Sequence, residues 1–313
     1  MESSSQEGPL NIGLPIASIS DERRLLFPSS KDLDRAWDLG IFYLKLPSNI
    51  DLDSARCFGR GLADPDNPYR QIPKYGELEG FIALENNQQT KLALSRQHWD
   101  QHYPIEINEF GRQLDEIGIT ILSEVLRQSG IPKAFWNRAS GGYSAGAGSA
   151  FLNFVHYDTR NPDQGLRPHT DYGLITILDI TAPGLQIKVN GKFQEVLALP
   201  GHLAIHFGEA LNFITTHSDR AVGAIEHQVL SQKSTDPVRH GIVYFANPDL
   251  NGVLWQFDAK GEIKGSSSVA DLFALLEKNL TEHRLRSFTL FGDYPASTVP
   301  SRNEKSQICA GSL

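Results

Sequence analysis

Arg167-Pro168-His169-Thr170-Asp171-Tyr172-Gly173-Leu174-Ile175-Thr176-Ile177-Leu178 sets a histidine and an aspartate two residues apart, directly before a run of strand-forming side chains. Residues i and i+2 of an extended chain point to the same side, so this imidazole and carboxylate can meet one metal ion at a strand mouth. The pattern alone is not specific. With this chain's composition His-x-Asp arises by chance roughly 0.6 times, and other copies occur, among them His217-Ser218-Asp219. These two differ in surroundings: the first leads into a strand, whereas the other sits in the polar stretch from Thr215 to Arg220.

Working outward, the chain after Gly141 alternates apolar runs of five to seven residues with turn signals at Pro183-Gly184, Asn190-Gly191, Pro200-Gly201 and Asn247-Pro248. Such punctuation predicts an antiparallel sandwich or barrel. Asn190-Gly191 predicts a type I′ hairpin, because both residues tolerate positive φ. Before Gly141 the pattern is helical. Phe110, Leu114, Ile117, Ile121, Leu122 and Val125 recur at three and four within Ile105 to Gln128, and Gly130 with Pro132 closes the helix. The charged residues of that helix, including Asp115, Glu116 and Glu124, are expected on a solvated face. Leu14 to Ile19 reads as a strand, and Trp37 to Leu46 as a short helix followed by a buried strand. Ser268 can cap a further helix. The fold class is therefore α+β, in one domain over residues 1–313: a helix-rich part to about 140, the β core at about 141–266, a helix and lid at about 267–295, and a flexible tail at 296–313.

The overall balance limits the partners. Twenty-nine Lys and Arg against thirty-seven Asp and Glu give a net charge of −8, which disfavours nucleic acid and anionic membrane surfaces. No apolar run approaches the ~20 residues needed to cross a bilayer. Two cysteines make no disulfide framework, and MESSSQEGPL lacks a signal peptide's basic and apolar regions, so a cytoplasmic setting is expected.

A third ligand for the first pair is available in His227, 58 residues after His169, where several hairpins can bring it back beside the first strand. Two imidazoles and one carboxylate occupy one face of an octahedral ion and leave three positions open, an arrangement suited to Fe(II) in oxygenases. The alternatives are polar residues at strand ends, or a zinc site without redox chemistry. Arg239 begins the strand Ile242 to Ala246, and its planar fork suits a bidentate carboxylate contact. Tyr157, alternating with Val155 and Asn153, can donate its hydroxyl to the same carboxylate. His202 and His206 read as core or supporting residues.

His169-Thr170-Asp171, GLITIL, Gly184-Leu185-Gln186, Pro200-Gly201, Phe207-Gly208-Glu209, His227-Gln228-Val229 and Arg239-x-Gly241 resemble, in order, the landmarks of the isopenicillin N synthase-like Fe(II)/2-oxoglutarate-dependent oxygenases. Leu14-Pro15-Ile16 and Trp37 to Tyr43 are similar to that family's N-terminal strand and helix-to-strand step. The resemblance implies a double-stranded β-helix, or jelly roll, flanked by N-terminal helices and a C-terminal helix. It implies Fe(II) on His169, Asp171 and His227, with 2-oxoglutarate as co-substrate held by Arg239 and Tyr157, and dioxygen as oxidant. The implied reaction is oxidation of an unactivated C–H bond of a small, secondary-metabolite or amino-acid-like molecule by hydroxylation, desaturation or ring formation or expansion. An iron oxidase of this fold that does without 2-oxoglutarate, and a non-catalytic ligand-binding jelly roll, are the alternatives. Three positions depart from the family: Gly241 replaces a serine, Gln228 an arginine, and Val155-His156-Tyr157 an Asn-x-Tyr. Arg70, Tyr75, Asn153, Phe245 and Asn247 are candidate substrate contacts, with Phe288 and Phe291 as a lid.

Overall fold

In the computed structural model, which describes residues 13–75, 79–83, 89–157, 165–231, 233 and 239–282, the chain first commits itself between Ser29 and Lys45. Ser29 caps a helix by accepting from the Asp32 N–H, and Gly40 ends it in a left-handed conformation at φ 72° with its N–H on the Ala36 carbonyl. A side chain at Gly40 would place Cβ 2.6 Å from the Gly223 carbonyl oxygen. Only glycine closes this helix and lets the chain turn straight into a strand. Phe288, Phe291 and the tail at 296–313 lie outside the described residues.

The strands in chain order are β1 (Ile16–Ile19), β2 (Leu25–Leu26), β3 (Ile41–Lys45), β4 (Gly80–Ala83), β5 (Gln89–Ser95), β6 (Ser149–Tyr157), β7 (Leu166–His169) and β8 (Ile175–Ile180). Then follow β9 (Leu185–Val189), β10 (Lys192–Glu195), β11 (His202–Phe207), β12 (His227–Val229), β13 (His240–Asn247), β14 (Val253–Phe257) and β15 (Ile263–Ser268). The helices are α1 (Ser30–Leu39), α2 (Leu52–Gly61), α3 (Arg96–His102), α4 (Ile105–Gln128), α5 (Trp136–Ala139), α6 (Glu209–Thr215) and α7 (Val269–Glu282). Among the described residues, nine strands form a large sheet in the order β2-β1-β3-β11-β8-β13-β6-β5-β4, and four form a small one, β10-β9-β12-β7. The architecture is α+β with a jelly-roll core: the two sheets face each other, and helices cover the outer face of the large one.

Register decides which side chains enter the space between the sheets. On β8 Thr176, Leu178 and Ile180 stand opposite Phe245, Val243 and Gly241 of β13. Those in turn stand opposite Phe151, Asn153 and Val155 of β6. Their neighbours in sequence point the other way, where Phe154, Tyr244, Ile177, Ile205 and Phe42 are buried with the apolar stripe of α4. The space between the sheets is closed at one end by Ile41, Tyr43 and Ala204 of the large sheet against Leu185 and Ile187 of the small one. Burying such side chains contributes about 1.5–3 kcal/mol each, so the sheets cannot slip by one residue without turning both faces inside out. The hairpin between β9 and β10 has φ 50° at Asn190 and 77° at Gly191, as its turn chemistry predicts.

The charged face of α4 departs from expectation. Glu116 is exposed and pairs with Arg23, but Asp115 and Glu124 are buried. Asp115 lies beneath Tyr244, whose hydroxyl donates to Oδ1 at 2.5 Å, and its other oxygen accepts from Arg96. Glu124 is held by Arg127, Gln128 and Arg24. Polar partners from distant parts of the chain fold over these carboxylates, which helical periodicity alone does not reveal.

Candidate metal centre

The two candidate histidine ligands meet because their strands pair. β7 and β12 run antiparallel in the small sheet with His169 directly opposite His227, and their ring centroids are 4.2 Å apart. Both rings are oriented by backbone. Nδ1 of His169 lies 2.7 Å from the Arg167 carbonyl and Nδ1 of His227 lies 3.2 Å from that of Ile225. A carbonyl only accepts, so each Nδ1 carries the proton and each Nε2 keeps a bare lone pair, the usual tautomer of a metal-binding histidine.

Asp171 is not on a strand, contrary to the expectation of one extended segment. His169 ends β7 in the small sheet, and Asp171 lies in the crossing to β8 of the large one. The turn is pinned through its backbone: Glu209 N–H donates to the Asp171 carbonyl at 2.8 Å, Gly208 N–H to Leu174 and Ala210 N–H to Tyr172. A side chain at Gly208 would set Cβ 2.4 Å from the Gly173 oxygen, which explains Phe207-Gly208-Glu209. So held, Oδ1 of Asp171 lies 3.5 Å from Nε2 of His169 and 3.8 Å from Nε2 of His227. One donor atom from each of His169, Asp171 and His227 falls within 4.8 Å of the other two, and all three residues are buried.

Electrostatics prepare this set for a cation. Burial works to raise the Asp171 carboxyl, but the surrounding imidazoles of His206, His169 and His227 outweigh it and hold the group far below the usual carboxylate range. Burial, then the neighbouring His169 and His206, push His227 well below an ordinary imidazole. At neutral pH His227 therefore offers a neutral nitrogen and Asp171 an anionic oxygen, the protonation states that metal ligation demands. Nε2 of His169 is buried without a hydrogen-bond partner. Such an orphan is costly in a finished core and expected where an ion completes it. The donors present thus fit a divalent metal with open positions.

A pocket enclosing about 420 Å³, including its open mouth, lies between the sheets and is lined by Tyr157, Leu178, Ile180, Leu185, Val229, Arg239 and Gly241 among others. The Arg239 guanidinium sits 5.2 Å from the Tyr157 ring and donates to the Leu230 carbonyl at 3.3 Å. A side chain at Gly184 would strike it, at 2.1 Å from Nη2. Tyr157 accepts from Gln89 at 3.4 Å. Gly241 leaves room: a Cβ there meets nothing nearer than the Asp179 carbonyl oxygen at 3.7 Å. Gln228 pairs across the small sheet with Gln186 at 2.7 Å.

Of the candidate substrate contacts, Asn153, Phe245 and Asn247 share the inner face of the large sheet with Thr176, which donates to Oδ2 of Asp171. Arg70 and Tyr75 do not join them. Arg70 donates to the Leu62 carbonyl and covers the Phe81 ring, and Tyr75 is exposed, stacked on His98 with its hydroxyl on His102. A cluster of basic and aromatic residues gave no register from which to tell this. His217 and Asp219 lie in a loop after α6, Asp219 donating its N–H to Ser129. Sequence reasoning passed over Thr176, although a lone hydroxyl alternating inward on an otherwise apolar strand was a usable signal.

The sheets and the inward His-x-Asp…His set define a jelly-roll protein with a candidate metal centre. Residues 149–248, the segment that holds all three candidate ligands, match the family model of the 2OG-Fe(II) oxygenase superfamily. Among curated relatives, the 1-aminocyclopropane-1-carboxylate oxidase of Prunus mume is 28% identical over 159 residues, 50% of this chain and 48% of the relative. The chain thus matches about half the length of such relatives. Among solved structures, JOX2 in complex with 2OG, Fe and JA has a TM-score of 0.66 at 17% identity, covering 86% of each chain. The dioxygenase for auxin oxidation in rice has 0.64 at 15%, covering 89% of this chain and 97% of its own. At these identities the likeness is one of fold. No helix among the described residues is long and apolar enough to cross a membrane.

Proposed function

We propose that the protein is an Fe(II)- and 2-oxoglutarate-dependent oxygenase acting on an unactivated C–H bond of a small molecule, by hydroxylation, desaturation or ring formation. The observation that carries this reading is the convergence of His169, Asp171 and His227 within 4.8 Å beside the pocket that Arg239 and Tyr157 line. When bound, Fe(II) and 2-oxoglutarate would supply oxygen activation coupled to decarboxylation of the co-substrate. The chain's own part is to bind and to orient. His169, Asp171 and His227 would hold the ion, and three protein ligands would leave it open to the co-substrate and dioxygen. Arg239 meets the distal carboxylate of the co-substrate with its fork. Tyr157, accepting from Gln89, keeps its own proton to donate to that carboxylate. Leu178, Ile180, Leu185 and Val229 keep water from the pocket between these two ends. Asn153, Phe245 and Asn247 face the substrate in this reading. The names of the similar proteins, which concern 1-aminocyclopropane-1-carboxylate and auxin, support a small organic substrate. The exposed Cys57 fits a reducing compartment such as the cytoplasm.

The test is anaerobic Fe(II) titration, followed by oxygen uptake with 2-oxoglutarate against small carboxylates, amino acids and aromatic metabolites. Absence of Fe(II) binding refutes the proposal. One observation favours a second reading: Gly241 removes a hydroxyl from the carboxylate subsite, as befits an iron oxidase drawing all its electrons from substrate. Succinate formed in step with oxygen consumed decides for the first reading, and uptake unchanged on omitting 2-oxoglutarate decides for the second.

A further inference from the structure

A third imidazole stands against the same carboxylate. His206, on β11, is buried at 1% exposure and lies in register opposite Thr176 of β8. Its Nε2 is 3.5 Å from Oδ2 of Asp171, and its ring centroid is 4.6 Å from that of His227. Both of its ring nitrogens are buried without a hydrogen-bond partner. The two oxygens of Asp171 thus face different neighbours: Oδ1 looks to the Nε2 atoms of His169 and His227, and Oδ2 to the Thr176 hydroxyl and His206. The set of donor atoms lying mutually within 4.8 Å comprises His169, Asp171 and His227 and does not include His206.

We propose that His206 is a positioning residue which donates its Nε2–H to Oδ2 of Asp171, so that the carboxylate offers the metal Oδ1 alone. This rests on the reading of the cluster as a metal centre. A slight rotation of the imidazole shortens 3.5 Å to a charge-assisted hydrogen bond and satisfies an otherwise orphaned donor. With Thr176 and His206 both on Oδ2, the carboxylate cannot swing to bind through two oxygens, and a coordination position that a two-oxygen carboxylate would fill stays open. Groups that orient ligands in this manner contribute strongly to affinity without touching the ion.

Co(II) binding to the metal-free full chain, followed by its visible absorption, tests the proposal independently of turnover. His206→Phe keeps a ring against His227 but has no N–H; it should bind Co(II) about 10–100-fold more weakly, with an altered absorption envelope. His206→Gln, whose amide N–H reaches toward Oδ2, should recover the wild-type spectrum and most of the affinity. Circular dichroism of the metal-free variants establishes folding, and His206→Leu takes the place of the phenylalanine variant if that one is unfolded. Wild-type affinity and spectrum in the donor-less variant overturn the proposal. So does a glutamine variant as weak as the phenylalanine one, which would assign His206 to packing or direct ligation. Wild-type protein that binds no Co(II) at all refutes the metal centre itself, a result distinct from either.

Discussion

Two buried carboxylates lie on opposite faces of the large sheet, and they are finished differently. Asp115, on the outer face, is surrounded by donors: Arg96 and the Tyr244 hydroxyl reach it, and Tyr143 lies 3.0 Å from Tyr244. Arg96 also donates from Nη2 to the Gly146 and Gly148 carbonyls. Asp171, on the inner face, takes the Thr176 hydroxyl on Oδ2, but its Oδ1 faces lone pairs instead, since the imidazoles of His169 and His227 present bare Nε2 atoms. The first site is electrically complete as it stands; the second would be completed by a cation. Burial of an ionised group is thus uninformative by itself, and the nature of its neighbours separates a structural pair from a metal centre.

The comparison is broken most directly by truncating each acid in turn. Asp171→Ala, like His169→Ala, should abolish turnover, at least about a thousandfold in oxygen uptake, while leaving thermal unfolding of the metal-free protein nearly unchanged. Asp115→Ala should do the converse. It strands Arg96 at a largely enclosed site and should lower the unfolding free energy by about 3 kcal/mol in denaturant titration, with kcat preserved at a temperature where the variant is folded. An exchange of these outcomes would mean that the roles of the two acids were assigned the wrong way round.

Smaller effects sharpen the picture. Gly241→Ser introduces a hydroxyl into a pocket with room for it, and one added hydrogen bond to a carboxylate should lower KM for 2-oxoglutarate about three- to tenfold. His217→Ala should leave turnover within about twofold of wild type, since that His-x-Asp pair lies in a loop after α6 and is no part of the His169, Asp171 and His227 set.

Much of this was legible in the sequence wherever a local rule governed the outcome. The helix Ile105–Gln128 begins and ends where its apolar spacing and Gly130 require, and Asn190-Gly191 turns as its two residues allow. The convergence of His169, Asp171 and His227 was legible for another reason: few residue types can serve as metal donors, and their spacing suits strands that return. What escaped was set by pairings between distant segments. Asp115 and Glu124 sit on the polar side of their helix and are buried only because Tyr244, Arg96 and Arg24 arrive from elsewhere. Arg70 and Tyr75 had no strand register to aim them, whereas Asn153, Phe245 and Asn247 lie on strands and share the inner face of the large sheet. His206 needed the pairing of β11 with β8 before its orientation toward Asp171 could be known.

The placement of His169 and His227 on the small sheet and of Asp171 on the crossing into the large one gives a bound ion a second consequence. It would rivet the two layers of the jelly roll together at their mouth, so that separating the layers would require releasing the metal. Occupancy at a hundred times the dissociation constant adds about 2.7 kcal/mol to the native state. The melting temperature should accordingly climb with free divalent cation and fall on chelation, making heat resistance a gauge of how well the cell supplies the metal.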